Sequence, residues 1–92
     1  SKCGLIGATR TAAVDLADQG VLVNAVSPGF TRTELTERTN SIEEIERLST
    51  KIPMGRFART EEIAELVYFL AGRSNTYITG QNIVIDGGYT IV

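Results

Sequence analysis

The run Val21-Leu22-Val23-Asn24-Ala25-Val26, stopped by Ser27-Pro28-Gly29, constrains the fold more than any other stretch. Its apolar residues fall on both alternating faces. That is the pattern of a strand covered on both sides, as in a parallel sheet flanked by helices. Proline offers no N–H to a ladder and glycine favours a turn, so the strand is expected to end at Ser27-Pro28-Gly29. A second short apolar segment, Gln81 to Asp86, follows the Thr79-Gly80 turn and stops at Gly87-Gly88. Two strands are too few for a stable parallel sheet with both faces covered. The chain therefore reads as the trailing part of an α/β domain.

The remaining segments read as helices and one loop. Leu5, Ile6, Ala8, Ala12, Ala13, Leu16 and Ala17 recur near helical spacing, so a helix is expected from Ser1 to about Gln19, closed by Gly20. Small residues at Gly4, Gly7 and Ala8 would admit a close backbone neighbour, and no N-cap precedes the helix. Phe30 to Asn40 is polar and threonine-rich and reads as a loop. Ser41 and Glu44 have the spacing of a capping box for a helix ending near Ser49 or Thr50, with Glu43 and Arg47 at i,i+4. Thr60 is expected to cap a further helix with Glu61 and Glu62 at its positive end. Its apolar stripe is Ile63, Leu66, Val67 and Leu70, and Gly72 closes it. The predicted order is helix, strand, helix, helix, strand.

Composition excludes several classes of function. Of 92 residues, 42% are apolar and 22% charged, which fits a globular chain rather than a disordered one. The net charge of -2 and the lack of a dense basic cluster leave no footprint for nucleic acid. The single cysteine, Cys3, can form no disulfide within the chain. With no histidine, an imidazole base and most zinc sites are excluded, and no metal site is expected. No apolar run approaches the ~20 residues of a membrane span, and no secretory leader pattern opens the chain. A cytoplasmic setting with no membrane partner is the expectation.

Five blocks in order carry a resemblance to a known family. They are Ser1-Lys2 with the Gly/Ala-rich helix after it, Val23 to Phe30, Ile52-Pro53-Met54-Gly55-Arg56-Phe57, Glu61-Glu62-Ile63-Ala64, and Tyr77-Ile78-Thr79-Gly80-Gln81 through Asp86-Gly87-Gly88. The chain resembles the C-terminal third of a short-chain dehydrogenase/reductase, most like the 3-oxoacyl-acyl carrier protein reductase branch. The resemblance implies a Rossmann-type, doubly wound parallel sheet. Residues 1–92 would form the C-terminal part of a single such domain, whose N-terminal cofactor-binding half, with its Gly-rich phosphate loop, is absent. It also implies NADP or NAD as cofactor, and reduction of a carbonyl, best a 3-oxoacyl thioester, to a hydroxyl by hydride transfer. The substrate would be a small carbonyl or alcohol compound, carried in some cases on an acyl carrier protein. The assembly would be a homo-oligomer, dimer or tetramer.

The same resemblance assigns roles to residues. Lys2 matches the lysine of the family's Tyr-x-x-x-Lys motif, whose tyrosine would precede Ser1. There it would hydrogen-bond the nicotinamide ribose and favour the phenolate of that tyrosine. Pro28, Gly29, Thr31 and Thr33 match the loop that closes on the nicotinamide. Backbone groups near Thr31 would pair with the carboxamide, and the Thr33 hydroxyl would reach the carboxamide or a phosphate oxygen. Without the tyrosine, Lys2 can activate nothing, so the 92-residue chain alone is expected to be inactive. Plainer readings compete: Lys2 as a solvated lysine, the 28–33 segment as a polar turn, Phe30 as turn packing, Arg56 and Arg59 as solvated charges, Asp86 as a turn former. A sugar or steroid alcohol dehydrogenase of the same family, or a non-catalytic oligomerisation fragment, are the rival functions.

Overall fold

The computed structural model describes residues 2–91, the side chain of Lys2 excepted. The elements are α1 (Lys2–Leu16), β1 (Ala25–Pro28), β2 (Thr31–Arg32), α2 (Glu34–Thr39), α3 (Ile42–Ser49), β3 (Ala58–Arg59), α4 (Thr60–Ala71) and β4 (Asn82–Ile85). Short 3-10 turns follow α1 at Ala17–Gln19 and end the described chain at Tyr89–Ile91. β1 pairs with β4, and β2 with β3. The second pair is parallel, with Thr31 opposite Ala58 and Arg32 opposite Arg59. Flanking bonds from Ala25 N to Gln81 O and from Gly29 N to Ile85 O advance together, so the first pair is parallel as well. The class is α/β, as expected.

The chain divides into two compact units: residues 1–27 with 66–83, and residues 28–65 with 84–92. In the first unit, α1 ends in a Schellman motif. Gly20 N donates to Ala17 O and Val21 N to Leu16 O, with Gly20 at φ 74°, a conformation open to glycine. Thr9 and Ala13 are the buried positions of α1. The space beside Gly7 is open, with no atom within 4 Å of a Cβ built there, so the expected close neighbour is not among the described residues.

The strand predicted at Val21–Val26 is shorter and displaced, running Ala25–Pro28. The reason lies in its partners. Val23 N bonds the Thr79 hydroxyl at 2.9 Å, and Gly80 N donates to Val23 O at 2.7 Å. The Asn24 side chain donates to Ile78 O and accepts from Gln81 N. Val23 thus satisfies its N–H and carbonyl through a side chain and a loop rather than a ladder, and Asn24 ties the segment to the same loop by its side chain. Asn75 anchors that loop. It is buried, its amide donates to Leu70 O and Ile78 O, and its carbonyl accepts from Tyr77 N and Ile78 N.

In the second unit, Ile45, Ile52 and Phe57 form the buried cluster, with Phe30 and Leu48 packed against it. The Phe30 ring stacks on Phe57 at 5.1 Å and meets Tyr89 edge-on at 5.2 Å, which is the turn-packing role. Ser41 caps α3 by accepting from Glu44 N, as its spacing predicts. Two expectations fail here. The segment read as a loop from Phe30 to Asn40 holds β2 and α2, because Thr33 caps a short helix that six consecutive polar-rich residues do not advertise by periodicity. Thr60 is not the cap of α4 but its first residue, and its hydroxyl lies on Glu61. Glu62 instead reaches back to Arg59 N at 2.9 Å. Among the described residues Glu43 and Arg47 form no ion pair, in line with the small gain of exposed pairs.

Replacing Asn75 by Ala leaves two amides and two carbonyls to find other partners inside the first unit. Asn75→Ala is expected to lower stability by about 2–3 kcal/mol, against a few tenths for the exposed control Glu43→Ala, as read from urea unfolding midpoints at constant slope.

Candidate functional site

Of the residues singled out from the sequence, Pro28 is the last of β1, Gly29 lies in the turn after it, Thr31 opens β2 and Thr33 caps α2. Gly29 N donates to Ile85 O at 3.0 Å. A Cβ built on Gly29 would stand 2.6 Å from Asp86 Cβ and 2.9 Å from Asp86 Cα. The glycine is therefore required by the approach of Asp86. Asp86 is itself fixed. Gly88 N donates to its Oδ1 at 2.9 Å and Thr90 N to its Oδ2 at 3.0 Å. The Thr90 side chain, and then the amides of Gly88, Thr90 and Tyr89, hold its carboxyl below the usual carboxylate range. Asp86 is a turn former, as the plainer reading had it.

Past Gly29, Phe30 O accepts from Ala58 N at 2.9 Å, which ties the turn to β3. Three threonine hydroxyls then organise the segment. Thr31 Oγ1 donates to Gly29 O at 3.1 Å. Thr36 Oγ1 donates to Thr31 O at 2.9 Å. Thr33 Oγ1 lies 2.9 Å from Thr36 Oγ1 and accepts from Thr36 N at 3.1 Å. A hydroxyl has one proton. That of Thr36 goes to Thr31 O, so the bond between the two hydroxyls is donated by Thr33. Thr33 also caps α2 with extended backbone, φ -110° and ψ 171°. Thr36 was not singled out from the sequence. The signal for it was the Thr33-x-x-Thr36 spacing, that of a cap and its third residue.

Below the turn, Arg56 grips Glu62 through two parallel bonds of 2.8 and 3.0 Å. Chiefly through that side-chain bond, and then through Arg59 N, the Glu62 carboxyl is lowered to about 2, while Arg56 is raised. Arg32, Arg56 and Arg59 border an open cleft of about 310 Å³ floored by Ile45 and Phe57. Glu37 pairs with Arg32 at 3.1 Å, and Glu62 with both other arginines, so most of the positive charge there is already matched. Lys2 is the first residue of α1, and its side chain lies outside the described residues. Cys3 is exposed. Among the described residues no group of three or more acidic, cysteine or histidine side chains could hold a metal ion.

A family model described as enoyl-(acyl carrier protein) reductase matches residues 1–90. The chain belongs to this family of short-chain dehydrogenase/reductases. It is 44% identical over 92 residues to the 3-oxoacyl-[acyl-carrier-protein] reductase FabG of Rickettsia bellii, covering 100% of this chain and 38% of that protein. To the reductase of the same name from Thermotoga maritima it is 47% identical over 91 residues, 99% of this chain and 37% of that one. Among solved structures, ElxO with NADP bound superposes with a TM-score of 0.89 at 39% identity, over 99% of this chain and 38% of that chain. A short-chain type dehydrogenase/reductase from Mycobacterium marinum gives 0.82 at 43% identity, over 99% and 35%. The short-chain dehydrogenase/reductase segment thus has a Rossmann-type α/β fold and spans under two fifths of the length of these relatives.

Two outcomes follow from this geometry. Gly29→Ala must push the turn off Asp86 and is expected to cost about 1–3 kcal/mol, seen as a lower unfolding midpoint. A midpoint equal to wild type would mean that the turn yields freely. Glu62 has its folded pKa near 2 against 4.5 for the free group, so its contribution is full above pH 4.5 and disappears as pH falls towards 2. The melting temperatures of wild type and Glu62→Gln are expected to converge across that window, and a constant gap would contradict the pairing.

Proposed function

We propose that residues 1–92 are the C-terminal part of a single Rossmann-type domain in an NAD(P)-dependent oxidoreductase. The rest of that domain, with the phosphate-binding loop, would lie N-terminal to Ser1. The enzyme reduces a 3-oxoacyl thioester, carried on an acyl carrier protein, to the hydroxyacyl form. The observation that carries this reading is identity of 44–47% along nearly the whole chain to two reductases of that name.

The donor set of the turn fits a nicotinamide. Thr31 O and Thr33 Oγ1 each keep a lone pair, and a carboxamide N–H can meet them. When bound, the cofactor supplies the hydride. Pro28 and Gly29 set the path of the turn, a backbone N–H and C=O near Thr31 would pair with the carboxamide, and the Thr33 hydroxyl would reach the carboxamide or a phosphate oxygen, which together would orient the ring. Lys2 would bond the ribose hydroxyls, and its charge would favour the phenolate of the tyrosine that the family's Tyr-x-x-x-Lys motif sets four residues before it. That phenol exchanges a proton with the substrate oxygen.

The exposed apolar side chains of α4, with Tyr68 83%, Val67 47% and Phe69 41% accessible, support assembly as a homo-oligomer. Among the described residues no helix is long and apolar enough to cross a membrane, and a cytoplasmic enzyme is our reading.

The full-length protein is expected to oxidise NADPH with an acetoacetyl thioester, and far more slowly with a crotonyl thioester or glucose. Equal or greater rates with the enoyl thioester would replace ketone reduction by enoyl reduction. The 92-residue polypeptide alone is expected to show no turnover with any of the three, and gel filtration is expected to find it associated.

A further inference from the structure

We propose that the Asp86 carboxylate is a positioning group that joins two anchors into one clamp, so that both stems of the 30–51 excursion are held by the single turn 86–90. The contacts stand by themselves. Their consequence for cofactor binding rests on our reading of residues 28–33 as the nicotinamide-facing loop.

The excursion holds β2, α2 and α3, and its two ends reach the same turn. The outgoing stem is Gly29. Its N–H bonds Ile85 O at 3.0 Å, and a Cβ built on it would stand 2.6 Å from Asp86 Cβ. The returning stem is residues 52–54. Met54 N donates to Gly87 O at 3.1 Å. A Cβ on Gly87 would stand 2.9 Å from Ile52 Cγ2, and one on Gly88 would stand 3.0 Å from Pro53 Cγ. Both glycines also have left-handed backbone, at φ 64° and 92°. Asp86 thus receives one stem, and the two residues after it receive the other.

The carboxylate makes these neighbours move together. Oδ1 accepts from Gly88 N at 2.9 Å and Oδ2 from Thr90 N at 3.0 Å. Two bonds to one planar group fix the path of the chain from Asp86 to Thr90. A shift of Gly88 beneath Pro53 pulls on Oδ1, and through Asp86 Cβ on the seat of Gly29. Tyr89, between the two bonded amides, meets Phe30 edge-on at 5.2 Å, so the turn also touches the first residue of the excursion. Without the carboxylate, a turn with two adjacent glycines has many conformations open to it. Each stem would then keep only its own contacts.

Asp86→Ala isolates the link. Alanine keeps the Cβ and backbone that Gly29 meets and removes only the two acceptors. Asp86→Asn keeps one oxygen as an acceptor and is expected to fall between alanine and wild type.

The test follows amide hydrogen exchange in the full-length protein at Gly29 N and Met54 N, the two stem bonds. In wild type and in the exposed control Glu43→Ala, their protection factors are expected to agree within about threefold, because one opening releases both. In Asp86→Ala they are expected to part by about tenfold or more. A role of Asp86 in stability alone would lower both by the same ratio. That result overturns the proposal, as does disagreement already in wild type. The second readout is the dissociation constant for NADPH. Gly88→Ala and the milder Pro53→Ala disturb the returning stem only. Both are expected to weaken NADPH, by about fivefold for Gly88→Ala, and by less than about twofold when Asp86→Ala is already present. Unchanged affinity in both, with weakening in Gly29→Ala, refutes the clamp. If none of these variants, Gly29→Ala included, alters NADPH affinity while the exchange coupling holds, the nicotinamide-facing reading fails and the clamp stands.

Discussion

The approach of Gly29 to Asp86 governs the half of the molecule that holds the candidate loop. β1 and β4 run side by side, and the bond from Gly29 N to Ile85 O carries their pairing one step past β1. At that point a side chain on residue 29 would collide with the Asp86 backbone and Cβ. Asp86 cannot retreat, because its two carboxylate oxygens hold Gly88 N and Thr90 N. The direction in which the chain leaves β1 is therefore set by a strand end and a turn some fifty-seven positions later in the sequence. Phe30, wedged between Phe57 and Tyr89, fixes the next residue by contact from both sides.

Polar side chains do much of the joining that regular ladders do elsewhere. Asn24, Asn75 and Thr79 satisfy the backbone where the chain is extended but unpaired. Thr31, Thr33 and Thr36 do the same in the turn that carries the candidate loop. Bonds of this kind are individually modest, yet leaving a buried amide unpaired is costly, so they select one conformation among many. The ion pairs are a different case. Arg56 with Glu62 is bidentate and shifts the carboxyl strongly, whereas Arg38 and Glu34 at 3.9 Å on an exposed face do little.

Local signals were legible where one element explains itself. Gly20 marked the end of α1, Ser41 the start of α3, and Gly87-Gly88 the stop after β4, each through a chemistry confined to a few residues. The α/β class was legible too, in an apolar run with no polar face. Residues 21–24 misled because apolar character measures burial, while strand assignment requires a partner of the right register. α2 was hidden because six residues are too few to show a period and its cap, Thr33, sits among other threonines. The fold-family resemblance gathered Pro28, Gly29, Thr31 and Thr33 into one loop; in the structure Pro28 ends β1, Gly29 follows it, Thr31 opens β2 and Thr33 caps α2.

The sequence by itself determined the stop at Gly20, the cap at Ser41, the parallel α/β character, the exclusion of imidazole chemistry and the placement of a threonine-rich segment after a proline–glycine strand end. These are consequences of residue type and short spacing. Only the tertiary structure decided why residue 29 must be glycine, that Glu62 belongs to Arg56 and Arg59 rather than to solvent, and which way the threonine hydroxyls point. Each of those depends on a distance between atoms, and a proton's direction is fixed by whichever acceptor folding brings within reach.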